Sequence, residues 1–413
     1  MPVADTSDVR AAGALAGRGL AATTSLIRDT HVAIARRAFR LSGPAARPAH
    51  VTHDAISRAV YGAVGHGLHA AAWGAGHVAA LRRAADPSYR PLTDRPRGNA
   101  VVGALNGAWG DRLHQWQHPL ALSMTLRHDG SDLPATPEAL RAAYPEATGD
   151  VAVWLHGLCE TDVSWRLGAR KHYGDPRSTH ADRLRADVGL SSVVVRYNTG
   201  RHICDNGDDL AVLLDDVVRS WPVPVERLTL VGHSMGGLVI RAACLAAAEG
   251  APTWLPLVSR IVYLGSPHLG APLEVAATAV GIALRKLPET RALGAALASR
   301  SVGIKDLRFG DVRAADRADV TDLDAWRAEP VECAPLLETA EHYYIGATIS
   351  RRNDTVAAKV LGDALVPWWS ASGSGRRRRL ALDIDRGRHL PGLHHFDLLN
   401  HPRVYAMLRD WLA

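Results

Sequence analysis

The stretch Leu228-Thr229-Leu230-Val231-Gly232-His233-Ser234-Met235-Gly236-Gly237, followed by LVIRAACLAAAEG, decides how the chain is read. A short, apolar, β-branched run leads into a serine flanked by glycines, and a helical pattern begins at once. G-x-S-x-G between a buried strand and a helix is a very tight turn, in which a side chain at Gly232 or Gly236 would strike neighbouring backbone. The strain of such a turn lifts the serine hydroxyl above the sheet. Ser234 is therefore the candidate nucleophile, and the pentapeptide occurs once in the chain.

A serine hydroxyl becomes nucleophilic only beside a base, and the base needs an acid to orient it. The chain supplies both after Ser234. Gly362-Asp363-Ala364-Leu365-Val366-Pro367 reads as a turn carrying a single carboxylate, and Leu393-His394-His395-Phe396-Asp397 as a loop entering a final helix that reaches Trp411. Asp363 competes with Asp354, which follows the preceding strand more closely, and with Asp383 and Asp385, which lie nearer the histidines. His394 and His395 point apart in any regular backbone, so only one of them can be the base. The remaining donors an oxyanion needs are backbone N–H groups, and that of Met235, at the N-terminus of the helix after the nucleophile, is one candidate.

Outward from this centre, Val151–Leu155, Ser192–Tyr197, Leu228–Val231, Arg260–Leu264 and Tyr343–Ala347 are short apolar runs separated by helical stretches. That alternation predicts a doubly wound α/β fold, a parallel sheet covered on both faces with its chemistry at the carboxyl ends of the strands. Leu120–Leu126 and His128–Asp132 read as a strand and a turn, and Pro137–Tyr144 as a short helix capped by Thr136. About 80 residues separate Leu264 from Tyr343, more than one crossover helix needs. Their helical patterns, Ala271–Leu287, Thr290–Ala298 and Ser301–Gly310, predict a cap or lid over Ser234.

Five segments together resemble the lipases and esterases of the α/β-hydrolase superfamily, near the bacterial lipases and the GPI inositol-deacylase-like hydrolases. They are Leu155-His156-Gly157-Leu158, the Gly232–Gly237 turn, Leu264-Gly265-Ser266-Pro267-His268-Leu269-Gly270-Ala271-Pro272, the Gly362–Pro367 turn and His395-Phe396-Asp397. The resemblance runs from about Gly149 to the C-terminus. It implies an α/β-hydrolase fold, with a helical N-terminal extension over residues 1–118, a catalytic domain over 119–413 and a cap insertion near 271–340. It implies Asp363 as the acid through the D-x-L-V-P turn, His395 as the base through H-x-D, and Leu158 as the second oxyanion N–H through H-G-L. It also implies a carboxylic ester hydrolase with an acyl-serine intermediate, taking a small-molecule or lipid ester and needing neither cofactor nor metal. Acyl transfer or thioester cleavage would use the same site. Glu160 departs from the pattern, since the family has a small residue there. Cys159 reads as a small loop filler and His268 as a wall of the pocket.

With 47% hydrophobic and 22% charged residues, the 413-residue chain is neither disordered nor a coiled coil. The four cysteines stand singly, which excludes a disulfide framework, and neither metal-ligand spacing nor a nucleic-acid motif is found. MPVADTSDVR lacks the pattern of a secretory signal, so a cytoplasmic protein is expected. Thr6 to about Leu41 predicts one or two amphipathic helices, ended by Ser42–His50. Ala59–Leu81, without a charged residue, predicts a small-residue helix packed on a neighbour, with His66, His69, Trp73 and His77 on one face. Pro87–Arg97 reads as a loop. Residues 10–97 hold 13 Arg against 4 Asp, while residues 146–413 hold 32 charges of each sign. Peripheral contact with an anionic lipid surface is therefore assigned to residues 10–97, and a lipid- or granule-surface binding protein is the reading from outside the enzyme class. The oligomeric state is left open. Arg376–Arg379 reads as a solvated loop or hairpin.

Overall fold

The computed structural model describes residues 6–41, 43–86, 88–248, 250, 252–317, 323, 332–351 and 362–413. In chain order these form α1 (Ser7–Leu41), α2 (Arg47–Ala84), α3 (Pro96–Gln115), β1 (Thr125–His128), β2 (Ser131–Leu133), α4 (Pro137–Ala143) and β3 (Asp150–Leu155). Next come α5 (Ala169–Tyr173), α6 (His180–Val188), β4 (Ser191–Arg196), α7 (Ile203–Ser220), β5 (Arg227–His233), α8 (Met235–Ala248) and β6 (Val258–Leu264). The cap region holds α9 (Pro272–Arg285), α10 (Arg291–Ala298) and α11 (Val302–Asp306). The chain closes with β7 (Glu341–Thr348), α12 (Trp368–Ala371), β8 (Gly387–Pro391) and α13 (Pro402–Leu412).

The described strands make one eight-stranded sheet in the order β2-β1-β4-β3-β5-β6-β7-β8. The β1–β2 and β1–β4 pairs are antiparallel, and every pair from β4 through β8 is parallel. Side chains alternate across such a sheet, and β3 divides accordingly. Val151, Val153 and Leu155 enter a core formed with α7 and α8, whereas Ala152 and Trp154 enter a second core formed with α6 and α13. All five are fully buried. Both faces are thus covered, as the continuously apolar strands require.

Three expectations are modified. The predicted strand Leu120–Leu126 forms only from Thr125, because Leu120 and Leu122 turn instead into a small cluster with Val102 and Ala11. α2 begins at Arg47 rather than after His50. Pro48 falls in its first turn, where a missing N–H removes no helical bond. The edge strand β8 was not anticipated.

α1 and α2 form an antiparallel hairpin of 35 and 38 residues. A Cβ on Gly13 would lie 2.6 Å from the Cα of Gly76, so the small residues let the two backbones touch. The outer face of α2 is left bare, with Ile56, Val60, Val64, Val78 and Leu81 all exposed. On the predicted histidine face, His77 stacks on Trp73 at 3.8 Å and His66 bonds the carbonyl of Gly62. Among the described residues no helix is long and apolar enough to cross a membrane. α3 runs on to the loops beyond β3, where a Cβ on Gly103 would lie 2.9 Å from the carbonyl oxygen of Glu160. Its Gly107 carbonyl also accepts from the Ser301 hydroxyl at 2.6 Å, tying it to the start of α11.

Candidate active site

The turn after β5 is as cramped as its sequence implies. A Cβ on Gly232 would lie 2.4 Å from the nitrogen of Gly237, and one on Gly236 would lie 2.5 Å from the carbonyl oxygen of Leu155. Neither position has room for a side chain. Ser234 sits between them with φ of 52°, a left-handed conformation unfavourable to a non-glycine residue. Its N–H donates to the carbonyl of Leu264 at the end of β6 at 2.8 Å, which holds the strained residue in place.

Asp363, in the turn that follows β7, and His395, in the loop that follows β8, meet. The Nδ1–H of His395 donates to Oδ2 of Asp363 at 2.7 Å, and both side chains are almost fully buried. The other carboxylate oxygen of Asp363 accepts the N–H groups of Leu365 at 3.1 Å and Val366 at 2.8 Å. The N–H of His395 donates to the carbonyl of Asp363 at 3.0 Å, so backbone as well as side chain joins the two loops. The Nε2 of His395 is buried without a partner among the described residues, leaving it free to exchange a proton. Burial disfavours the imidazolium, but the charge and hydrogen bond of Asp363, with the charge of Glu160, outweigh it and raise the pKa of His395 above its ordinary value.

Glu160, the departure from the family pattern, joins three parts of the site. Its carboxylate accepts the N–H of Gly157 at 2.7 Å and lies 3.0 Å from Nδ1 of His233, the residue before Ser234. The other ring nitrogen of His233 faces the carbonyl of His395 at 3.4 Å, and the two rings lie 4.7 Å apart. Burial pushes the Glu160 carboxyl up, but His233 and the Gly157 N–H more than compensate, holding it below the usual range. His156 fixes the same loop from the other side. Its ring stacks on Tyr197 at 4.5 Å, and its carbonyl accepts the Tyr197 hydroxyl at 2.7 Å. Leu158, in this loop, and Met235, at the start of α8, have backbone N–H groups without acceptors among the described residues.

Ser234, His395 and Glu160 open into one cavity of about 300 Å³. Its apolar walls include Leu158, Leu273, Ala277, Ile304, Leu307 and Phe396, so α9 and α11 roof it. Glu274 of α9 is buried at its wall and receives two hydrogen bonds from Arg300, at 2.6 and 3.0 Å.

Residues 212–288, which span β5, the turn and β6, match the family described as PGAP1-like alpha/beta domain. No curated protein sequence matches the chain. Among solved structures, a Bacillus licheniformis lipase in its mature form is 16% identical, over 64% of this chain and 92% of that one, with a TM-score of 0.40. A thermophilic esterase from Thermogutta terrifontis is 13% identical over 64% and 90%, with a TM-score of 0.35. An esterase of Pyrococcus furiosus is 14% identical over 65% and 83%, with a TM-score of 0.33. At such scores the assignment of fold rests on the strand order, the turn after β5 and the matched segment. The chain has the α/β-hydrolase fold.

In this fold the competing site residues fall elsewhere. His394 is exposed and caps a 3-10 turn with Asp397. Asp383 caps another such turn and lies 3.7 Å from Arg386, Asp385 is exposed, and Asp354 lies outside the described residues. His268 is not a pocket wall. It is buried against Tyr263 at 4.5 Å, and burial and Arg241 drive its pKa well down. Cys159 fills a tight left-handed position with φ of 60°, its N–H bonded to the hydroxyl of Thr199. Of the arginine run, Arg378 is buried and donates to the carbonyl of Phe309, so that hairpin is anchored rather than wholly solvated. Sequence reasoning noticed Glu160 only as an irregularity. It passed over His233, because a histidine inside G-x-S-x-G is a free position of the motif, and it gave no sign of the Glu274–Arg300 pair.

Proposed function

We propose that the protein is a carboxylic ester hydrolase in which Ser234 is the nucleophile, His395 the general base and Asp363 the acid that orients it. The observation that carries this reading is the buried 2.7 Å contact between His395 and Asp363, opening on the same cavity as the strained Ser234. In this reading Nε2 of His395 takes the Ser234 proton as Oγ attacks the ester carbonyl. The N–H groups of Leu158 and Met235 donate hydrogen bonds to the developing oxyanion, that of Met235 at a helix N-terminus whose dipole favours negative charge. Collapse of the tetrahedral species expels the alcohol, which receives the proton from His395 and leaves acyl-Ser234. A water then gives its proton to His395 and attacks the acyl carbon, and as the acyl–Oγ bond breaks His395 returns that proton to Ser234, freeing the acid. The mostly apolar cavity under α9 and α11 supports an apolar acyl group as the part it holds.

The test is turnover of p-nitrophenyl esters of graded chain length by the wild type and by Ser234→Ala. Loss of at least about 10³-fold in the variant is expected. Undiminished turnover would remove the reading.

A further inference from the structure

Arg28, Arg36 and Arg40 of α1, Arg58 of α2 and Arg291 at the start of α10 line a single open cleft of about 520 Å³, in which Asp29 is the one carboxylate of the wall. These residues come from three helices, with Arg58 and Arg291 distant in sequence from the α1 set. The fold, not a local run of charge, gathers them. Nearby acids neutralise only part of this charge. Asp29 pairs with its neighbour Arg28 at 2.8 Å, Glu289 is taken by Arg37 at 3.0 Å, and Asp54 stands 3.7 Å from Arg36 and is shared with His50 and His53. Arg40, Arg58 and Arg291 make no ion pair among the described residues. Arg40 and Arg58 each use Nε on a carbonyl of their own helix, that of Arg36 and that of Asp54, which leaves the terminal nitrogens unspent.

We propose that this cleft binds a phosphate-bearing anion, either a soluble phosphate compound or the headgroup of a lipid. Planar guanidinium groups match phosphate oxygens two at a time, and several of them around one concavity suit an anion carrying more than one charge. The site is separate from Ser234. α9 runs from the catalytic cavity, where it contributes Leu273 and Ala277, to the turn that bears Pro288, a length of about 21 Å for its 14 residues. A bound anion therefore joins the helical hairpin to the far end of the cap. This inference rests on the arginine cleft and not on the ester-hydrolase reading.

The experiment uses the full chain and two probes. Pyrophosphate is titrated in by calorimetry, and the protein is floated with vesicles of phosphatidylcholine, with and without phosphatidic acid. At least one anionic probe should bind, more weakly as salt is raised. The Arg40→Ala/Arg58→Ala/Arg291→Ala variant should lose on the order of 10²-fold in affinity, with an unchanged thermal midpoint and unchanged turnover of p-nitrophenyl acetate. Pyrophosphate binding without flotation identifies a soluble phosphate compound as the ligand. Flotation that needs phosphatidic acid identifies a lipid headgroup. If the triple variant does not fold, Arg40→Gln and Arg291→Gln singly should each weaken binding about tenfold. Failure of both probes on the wild type, or folded variants that bind as it does, would overturn the proposal. Inactivity towards esters would leave it standing.

Discussion

Asp363 is held at each carboxylate oxygen, one by the N–H groups of Leu365 and Val366 and the other by His395, so the imidazole is fixed in both tautomer and direction. Asp363→Asn keeps the shape but reverses the polarity of that contact. A fall in kcat of about 10⁴-fold is expected, measured with a p-nitrophenyl ester. If neutral His395 is the base, as proposed, its raised pKa means that kcat/KM should increase with pH through an acid limb centred above the ordinary 6.5. Glu160 contributes to that rise. Glu160→Gln should move the limb to lower pH and, by loosening the loop at Gly157, reduce kcat on the order of 10² with little change in KM. A limb that stays in place would mean that Glu160 only supports the loop. The tight turn at Ser234 was legible in the sequence because its glycines have a steric reason to be there. The contacts of Glu160 were not, because its partner His233, 73 residues away, is brought to it only by the pairing of β3 with β5.

At the scale of elements, strands β3 to β7 were readable because each is a run of apolar residues buried on both faces. β8, Gly-Arg-His-Leu-Pro, is an edge strand with only Leu390 buried, and without an apolar run it gave no signal. The cap helices were legible from their periodicity, but not the ion pair that fixes them. Glu274 is so deeply buried that removing it leaves Arg300 without its carboxylate. Glu274→Ala should destabilise the protein by about 3–5 kcal/mol, measured by denaturant unfolding. Leu273 projects from α9 into the cavity. Leu273→Trp should therefore cut turnover of long-chain esters by about tenfold or more while sparing the acetate, and an unchanged chain-length profile would move the acyl site away from α9.

Across the whole molecule, the charge excess and the proposed catalytic site lie in different places. The neutral part of the chain builds the sheet and the Ser234 cavity, while the arginine-rich hairpin of α1 and α2 stands beside the cap and meets it at Arg37 and Glu289. α3 connects them, lying on the loop of Glu160 and on the start of α11. Composition could locate the excess charge, but only the packing of α10 against α1 turns it into a cleft. The claim on which the rest depends is that Ser234 forms a covalent bond with the acyl group. The most direct measurement is intact mass and peptide mapping after reaction with a p-nitrophenyl alkylphosphonate, which mimics the tetrahedral intermediate. One phosphonyl group on Ser234, matched by loss of turnover and absent from Ser234→Ala, is the expected result. Labelling of another residue, or full inactivation without modification of Ser234, would contradict it.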